Sequence, residues 1–289
     1  MGALAPFTKT ENRMDISKYI DKGDVDAARM LLEAYEQELY VDPNISVEHP
    51  PVALSFGTHM VGGTEYPTPI ATYGNLIVVQ APPKSMKTYL TSLFVSAFIE
   101  GGGRSGFGEL KGHNDGREVY HFDTEQSKFH AHRVFSRTHK MAGMPDKGYY
   151  PYALRSLDNK ERKAFIEYCL FQKANGVGLF VIDGIADLVS DVNNIEESNN
   201  IVQDVMRWTQ QLNCVAICII HQNYGSDKPT GHLGSALQKK AETMIKVERD
   251  GMAAKISPKD TRNFPFEEFV MRINEKGYPM IVPNVLSEI

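Results

Sequence analysis

Apolar and polar positions along this chain alternate between patterns typical of buried strands and patterns typical of helices. Four segments have the length and the β-branched or aromatic content of strands, at 76–79, 118–125, 179–185 and 214–222. Apolar residues at helical spacing separate them. Because apolar strands that alternate with helices form sheets covered on both faces, the pattern predicts an α/β fold with a mainly parallel central sheet.

Helices are predicted between these strands, and shorter strands after them. The helices lie at 87–99, 127–142, 158–174 and 196–212. Asp158 is a good N-cap for the third. The alternation of strands and helices begins at Val52, and 101–116 is a glycine-rich loop. From Met244 the chain predicts C-terminal strands, partly antiparallel, at 244–250, 254–260, 267–273 and 278–283.

The first fifty residues have a different character and predict a separate arm. One or two helical turns at 16–20 end at Gly23, and Asp24 caps a second helix over 25–39. Prolines in 41–51 mark a linker. We therefore predict a helical arm and linker in residues 1–50 and one larger domain in 51–289. The arm packs either on that domain or on a neighbouring subunit.

Composition places the chain among globular proteins and excludes some function classes. Hydrophobic residues make up 42% and charged residues 23% of 289 residues. No apolar run reaches about 18 residues, and the first residues lack the pattern of a signal peptide, so a cytoplasmic protein without a membrane span is expected. The net charge of −5 means that any positive nucleic-acid surface is local, or is formed by an oligomer.

The cysteines suggest a reducing compartment. Cys169, Cys214 and Cys218 are odd in number and scattered, which argues against a disulfide framework. Cys214 and Cys218 share a face of a predicted strand, which allows a metal pair or two packed thiols. Packed thiols are the favoured interpretation.

The segment around Lys87 carries the first candidate chemistry. An apolar strand, a tight loop at 81–86, Lys87-Thr88 and a helix follow one another as in a phosphate-binding P-loop. Lys87 would reach the β- and γ-phosphates, and Thr88 would bind Mg²⁺. Backbone and side-chain contacts to the nucleotide are expected from six consecutive residues: Lys84, Ser85, Met86, Lys87, Thr88 and Tyr89.

This loop departs from the usual G-x-x-x-x-G-K-[ST] pattern. Ala81 and Met86 replace both glycines, and Pro82 and Pro83 remove two backbone donors. Met86 is the more serious change, because its side chain is expected where the backbone normally approaches phosphate. The alternative interpretation is an ordinary strand-to-helix turn with a chance Lys-Thr pair.

Polar residues end three further strands, where ligands of parallel α/β sheets bind. Asp123 and Glu125 alternate onto one side, so that one of them can polarise a water. Asp183 follows four apolar residues, the Walker B form in which a carboxylate holds Mg²⁺ through water. His221 and Gln222 can contact a γ-phosphate, and Gln222 is preferred because an amide both donates and accepts. Together the clusters predict a nucleoside triphosphatase.

Several motifs resemble one family. Residues 52–284 resemble RecA-type ATPases of the RepA/DnaB-like hexameric helicase branch, especially the RepA-like ATPases of Bacteroidetes and their mobile elements. The matching segments are Lys84-Ser85-Met86-Lys87-Thr88, HFDTEQS at 121–127, LFVIDGIADL at 179–188, the long run at 219–250 and SPKDTRNFPFEEF at 257–269.

The resemblance implies functional roles and partners. It maps the catalytic glutamate to Glu125, and it suggests that Lys259 and Arg262 act on a neighbouring subunit's nucleotide. It implies ATP, Mg²⁺ and a homo-oligomer, either a hexameric ring or a filament. The alternative for Arg262 is a surface arginine that pairs with Glu267 or Glu268.

Contact with single-stranded DNA is expected on the glycine-rich loop at 223–234 and the helix beyond it. The candidate residues are Lys228, His232, Lys239 and Lys240. The other loop expected near DNA, 187–200, carries Asp187, Asp191, Glu196 and Glu197 and no lysine or arginine, so it would repel a DNA backbone. A solvated basic face is the alternative.

Three functional hypotheses follow. The first is an ATP-hydrolysing, helicase-like motor on single-stranded DNA, acting in replication of a phage or mobile element. The second is a recombinase-like filament ATPase, and the third is a nucleotide-binding scaffold or loader with little turnover.

Overall fold

The computed structural model describes residues 25–104, 106–223 and 226–282. They fall into two compact units, with the boundary between His49 and Pro50. In the first unit, helix α1 spans Val25–Leu39. The helical turns predicted at 16–20 and the N-cap at Asp24 lie outside the described residues.

The second unit contains all remaining elements. Its larger elements, in chain order, are β1 (Val52–Val61), β2 (Thr64–Thr72), β3 (Leu76–Ala81), α2 (Lys87–Glu100), β4 (Leu110–Gly112), β5 (Glu118–Asp123), α3 (Lys128–Met141), β6 (Tyr149–Ala153), α4 (Asn159–Glu167), β7 (Val177–Asp183), α5 (Ile195–Leu212), β8 (Val215–His221), α6 (Gly231–Lys240), β9 (Thr243–Asp250), β10 (Ala253–Thr261), β11 (Phe269–Ile273) and β12 (Pro279–Val282). A π-helical segment, Tyr168–Lys173, continues α4, and a 3₁₀ turn spans Ile185–Leu188.

A nine-stranded sheet forms the centre, in the order β12-β11-β10-β9-β3-β8-β7-β5-β6. The strands from β9 to β6 in this order are parallel to one another. The strands β10, β11 and β12 continue the sheet in antiparallel fashion. The predicted fold class is therefore confirmed, including the antiparallel C-terminal strands.

Apolar side chains cover both faces of this sheet, which explains why its strands are apolar throughout. Ile77 and Val79 of β3 lie in one core cluster with Phe94 and Phe98 of α2. The intervening Val78 belongs to the opposite cluster, which includes the fully buried Trp208 of α5. The sheet is thus a middle layer, with α2 and α3 on one side and α4, α5 and α6 on the other.

The three cysteines lie in the second of these clusters and are free thiols. Burial raises the pKa of Cys218 to about 12 and that of Cys169 to about 11, so both side chains stay protonated at neutral pH. They act in packing, as small apolar groups do.

The start of the second unit differs from the prediction that strands and helices alternate from Val52. The strands β1 and β2 form a hairpin, and β4 joins them in a separate three-stranded antiparallel sheet. Gly62 and Gly63 make its two-residue turn, with φ of 57° and 85°. Such turns need positive φ at both central residues, and glycine adopts it at little cost. The Gly62-Gly63 pair is the feature of the sequence from which this hairpin could have been predicted.

The N-cap predicted at Asp158 is confirmed. The Asp158 carboxylate accepts the backbone N–H of Glu161, and the Glu161 carboxylate accepts the backbone N–H of Asp158. This reciprocal capping box fixes where α4 begins. Among the described residues, the helices are too short or too polar to cross a bilayer.

Candidate active site

The register of the parallel strands brings the predicted polar clusters to one edge of the sheet. Ala81 at the end of β3 lies opposite His221 at the end of β8. Asp123 at the end of β5 lies opposite Asp183 at the end of β7. Since all four strands run in the same direction, their carboxyl ends meet where such sheets bind ligands.

The loop between β3 and α2 contains two left-handed residues, a feature that anion-binding nests share. Lys84 and Met86 have φ of 60° and 73°, the left-handed region, which costs a residue with a side chain about 1–2 kcal/mol. Left-handed residues that alternate with right-handed ones turn successive N–H groups to the same side of the chain. The positive end of α2 begins at the same point, so the loop suits a phosphate group.

The Met86 side chain does not occupy this nest, so the expectation that it would intrude on a phosphate is wrong. It is only 6% exposed and belongs to the core cluster on the α2 side of the sheet. The Ser85 hydroxyl donates to the Pro82 carbonyl and ties the loop together. The glycine of the usual pattern is thus replaced by a residue that keeps its backbone conformation and buries its side chain.

The Lys87 ammonium is held at the base of the loop. It donates to the carbonyls of Ala81 at 3.3 Å and Pro82 at 3.0 Å, and it lies 3.1 Å from His221 Nδ1. Burial lowers the pKa of Lys87, while the nearby carboxylates of Asp183 and Glu125 favour its charged form. These weak carbonyl contacts can be exchanged for stronger contacts to an anion.

His221 links Lys87 to Glu125, because its Nε2 lies 3.3 Å from Glu125 Oε1. A lysine ammonium only donates, so Nδ1 must accept and the ring proton sits on Nε2, which donates to the carboxylate. This hydrogen bond is the main cause of the lowered pKa of Glu125. Glu125 is therefore ionised at neutral pH and can accept a proton from a water molecule.

Asp123 has a structural role, which separates it from Glu125. Its carboxylate accepts the backbone N–H groups of Glu125 and Gln126 and the Gln126 side-chain amide. Burial raises the pKa of Asp123. The neighbouring Thr124 hydroxyl donates to the Gly184 carbonyl at 2.9 Å and lies 2.8 Å from Asp187 Oδ2. Both residues fix the turn that presents Glu125.

Asp183 has the properties expected of a magnesium ligand. Asp183 is buried, and its Oδ2 has no hydrogen-bond partner among the described residues. Burial, followed by repulsion from Asp123 and Glu125, raises the pKa of Asp183 to about 8. A cation that enters with the substrate would satisfy the orphaned oxygen and favour its ionised form.

The residues present fit Mg²⁺ in the way that this ion binds with phosphate. No group of three or more His, Cys, Asp or Glu side chains able to hold a metal occurs in the described part of the chain. Mg²⁺ usually takes one or two protein oxygens and completes its shell with water and substrate phosphates. Asp183 and Thr88, the second residue of α2, are the candidate ligands.

Gly184 makes room for the Glu125 carboxylate. A Cβ atom at Gly184 would lie 2.2 Å from Glu125 Oε1 and 3.3 Å from its Cγ. The φ of Gly184 is −124°, which any residue adopts, so φ itself does not strain an alanine here.

Gly184→Ala is expected to lower the turnover of the proposed substrate by about 10- to 100-fold, because it displaces Glu125 from His221. The test compares turnover numbers of Gly184→Ala, Glu125→Gln and the double variant. The double variant should match Glu125→Gln, since both changes act on one side chain. A further loss in the double variant would mean that Gly184 acts elsewhere.

Gln222, the preferred γ-phosphate sensor, is turned toward the following loop. Its amide nitrogen donates to the Ser226 carbonyl at 2.5 Å and lies 3.3 Å from Asp227 Oδ1. Its Oε1 is buried without a hydrogen-bond partner in the described part of the chain. His221, rather than Gln222, therefore occupies the position between Lys87 and Glu125, and Gln222 connects this edge to the loop.

The two residues proposed to act on a neighbour lie at different places. Lys259 Nζ contacts Gln80 Oε1 at 3.2 Å and the Asp227 carbonyl, near the carboxyl end of β3. Arg262 donates to the carbonyls of Lys239 and Lys240, at the end of α6. Its own backbone N–H bonds to Glu242, next to the start of β3, so within one chain it is remote from Lys87.

The alternative that Arg262 pairs with Glu267 or Glu268 is not what the structure shows. Glu268 instead pairs with Lys255 at 2.8 Å. Arg262 covers the C-terminal carbonyls of α6, where a cation is favourable.

The candidate DNA-binding residues Lys228, His232, Lys239 and Lys240 are all exposed. The structure does not join them to the phosphate loop. In the acidic segment, two carboxylates have local partners: Asp187 Oδ2 lies 2.8 Å from the Thr124 hydroxyl, and Glu197 accepts from the Ser190 hydroxyl and backbone N–H. The hydrogen bond from Ser190 lowers the pKa of Glu197.

Two arginines that support the loop were missed by the sequence analysis. Arg249 donates to the Lys84 carbonyl at 2.8 Å, and it lines a cleft of about 350 Å³ beside Pro82–Ser85. Arg137 donates to the Thr88 carbonyl and stacks over the Tyr89 ring, 4.0 Å from its centroid. Nothing in the local sequence marks either contact, because each joins residues far apart in the chain.

Comparisons with known proteins support the fold. No protein-family model matches this chain, and no curated protein matches it. Among solved structures the chain is similar to the crystal structure of the RadB recombinase, with 17% sequence identity over 73% of this chain and 92% of that one and a TM-score of 0.50. The chain has a RecA-like fold. At this identity the likeness shows the fold alone.

Proposed function

We propose that this chain is a Mg²⁺-dependent ATPase that works as an oligomer on single-stranded DNA in the cytoplasm. One observation carries the ATPase proposal: a phosphate-binding nest, its Lys87 and the His221–Glu125 pair share one edge of a RecA-like sheet. Triphosphate hydrolysis needs cations on the phosphate oxygens and an oriented water, and these residues supply both.

Each residue has a distinct task in this proposal. The nest of Lys84–Met86 and the N-terminus of α2 bind phosphate oxygens, and Lys87 exchanges its carbonyl partners for them. Glu125 accepts a proton from the attacking water, in the orientation set by His221. Asp183 and Thr88 would hold Mg²⁺, which supplies charge for the developing negative phosphate oxygens.

Ring-shaped and filamentous assemblies remain two forms of the proposal. The resemblance to RepA/DnaB-like helicases supports a ring with a motor role in phage or mobile-element replication. The likeness to the RadB recombinase favours a recombinase-like filament at least as well. Electron microscopy with DNA separates them, because closed six-membered rings support the first and open helices support the second. A scaffold that binds ATP with background turnover is the non-enzyme alternative to this proposal.

The first experiment measures ATP turnover of the purified chain with Mg²⁺, with and without single-stranded DNA, over a range of protein concentrations. We expect turnover that rises with DNA and rises steeply with concentration, since catalysis shared between subunits requires assembly. Tight ATP binding with turnover at background under every condition would contradict the ATPase proposal and support the scaffold.

Mixing two inactive variants tests whether Arg262 acts across subunits. Arg262→Ala and Glu125→Gln should each have little activity, since an arginine supplied by a neighbour contributes about 10³–10⁵ in related phosphoryl transfer. A mixture should regain measurable turnover, because some interfaces then combine an intact Arg262 with an intact Glu125. Activity of the mixture equal to the sum of the separate variants would show that Arg262 acts only within its own chain.

A further inference from the structure

The surface of helix α3 differs in charge from the chain as a whole. The chain has a formal net charge of −5, whereas α3 (KFHAHRVFSRTHKM) contains no aspartate or glutamate. It holds four lysines and arginines and three histidines within its 14 residues. Arg137 is turned inward to Ser92 and the Thr88 carbonyl, and His139 contacts the Pro145 carbonyl. The other five basic side chains are exposed.

Most of these exposed side chains form one stripe. Five exposed residues define what we call the α3 stripe: Lys128, Phe129, His132, Arg133 and Lys140. With about 100° per residue in an α-helix, they lie within an arc of about 140°. The opposite side of α3, which includes Ala131, Val134 and Thr138, is buried against the second unit.

Phe129 is the unusual member of the stripe. Its side chain is 70% exposed, although burial of a phenylalanine is strongly favourable. Its ring lies 5.3 Å from that of His130, in an edge arrangement that leaves a face open. An open aromatic ring among cations is the combination by which proteins hold an unpaired base and its neighbouring phosphates.

The α3 stripe is separate from the surface that the sequence assigns to DNA. It begins three residues after Glu125, on the α2 side of the sheet, whereas α6 packs on the opposite side. The loop before α6 also carries a carboxylate, Asp227, next to its Lys228, whereas α3 carries none. The cations of the stripe have no carboxylate on their own helix to neutralise them.

We infer that the α3 stripe binds single-stranded nucleic acid, with its cations on phosphates and the Phe129 ring on a base. This inference deepens the proposed association with DNA and rests on it. A single strand is required because a base stacks on a side chain only when it is unpaired. A strand bound here would run along a helix that starts beside the proposed catalytic glutamate.

The experiment measures binding of a fluorescein-labelled oligothymidylate to the full chain by anisotropy at several salt concentrations. Lys128→Glu/Arg133→Glu should weaken binding at least about 10-fold and reduce the salt slope by roughly 1.4, for two lost phosphate contacts. Phe129→Ala should weaken binding about 5- to 150-fold with little change in slope. The matched control is Arg155→Glu/Lys160→Glu, which makes the same charge change at exposed positions before and in α4.

The outcomes separate this inference from the proposed function. If the wild type binds the oligonucleotide and the α3 variants bind as tightly as the control, the stripe is not a binding site and only this inference fails. If the wild type does not bind at all, both the DNA association and the stripe fail, while ATP turnover without DNA still tests the ATPase. If the charge reversal changes only the oligomer mass, the stripe is a contact with a second copy of the chain, which overturns the inference.

Discussion

Replacing Glu125 by glutamine is expected to lower the rate of ATP hydrolysis by about 10²- to 10⁴-fold and to leave nucleotide binding largely intact. The glutamine keeps the size of the side chain but cannot accept a proton from water. It can still contact His221 Nε2, which lies 3.3 Å from the carboxylate in the wild type. The structure around the site should therefore be retained.

The measurement combines steady-state turnover with the affinity for a fluorescent ATP analogue. Lys87→Ala provides the contrast, because it should lose phosphate affinity as well as turnover. Glu196→Gln is the matched control, since it makes the same chemical change at an exposed carboxylate in the first turn of α5. Turnover of Glu125→Gln within a factor of two of the wild type would remove Glu125 from the mechanism.

Asp183→Asn is expected to abolish Mg²⁺-dependent turnover and at the same time to stabilise the nucleotide-free protein. Burial raises the pKa of Asp183 to about 8 from its ordinary value of 3.8. The folded chain thus binds a proton between about pH 4 and pH 8 that the unfolded chain has released. The stability of the wild type falls as pH rises through this window, because folding takes up a proton and this uptake becomes less favourable at higher pH. Asparagine cannot ionise, so the stability of the variant does not fall in this pH window.

Thermal unfolding at several pH values tests this prediction. At pH 8 the melting temperature of Asp183→Asn should exceed that of the wild type, by about 2–4 °C for each kcal/mol recovered. Near pH 4 the difference should vanish, since both side chains are then neutral. Addition of Mg²⁺ and ATP should raise the melting temperature of the wild type more than that of the variant. A variant that is less stable at pH 8 would show that Asp183 has a structural partner.

The sequence predicted the layers of the fold because the burial of a strand or helix determines the pattern of apolar residues along it. A strand covered on both faces must be apolar throughout, as 76–79 and 179–182 are, and a helix between them shows its own period. The same logic placed Asp123, Asp183 and His221 at strand ends. It missed the hairpin of β1 and β2, whose strands form a separate sheet, although Gly62-Gly63 marked the turn.

The candidate site was predicted in part. Lys87 and Asp183 follow from motif spacing, because each is a fixed number of residues from an apolar strand, whereas Glu125 was implied by the family resemblance. The structure supplies the physical reason to prefer Glu125 over Asp123, because a carboxylate oxygen of Asp123 already accepts two backbone N–H groups. The sequence favoured Gln222 over His221, and only the three-dimensional arrangement shows that His221 lies between Lys87 and Glu125.

What the sequence by itself determined is the strands and helices of the central α/β layers and the residue types at the strand ends. These depend on local periodicity and on short-range spacing, which a linear chain records directly. Only the tertiary structure decided where the Met86 side chain goes, why Gly184 must be small, and which face of the sheet carries α3. Each of these depends on residues distant in the chain that meet only when the sheet is assembled, and that proximity leaves no pattern in the local sequence.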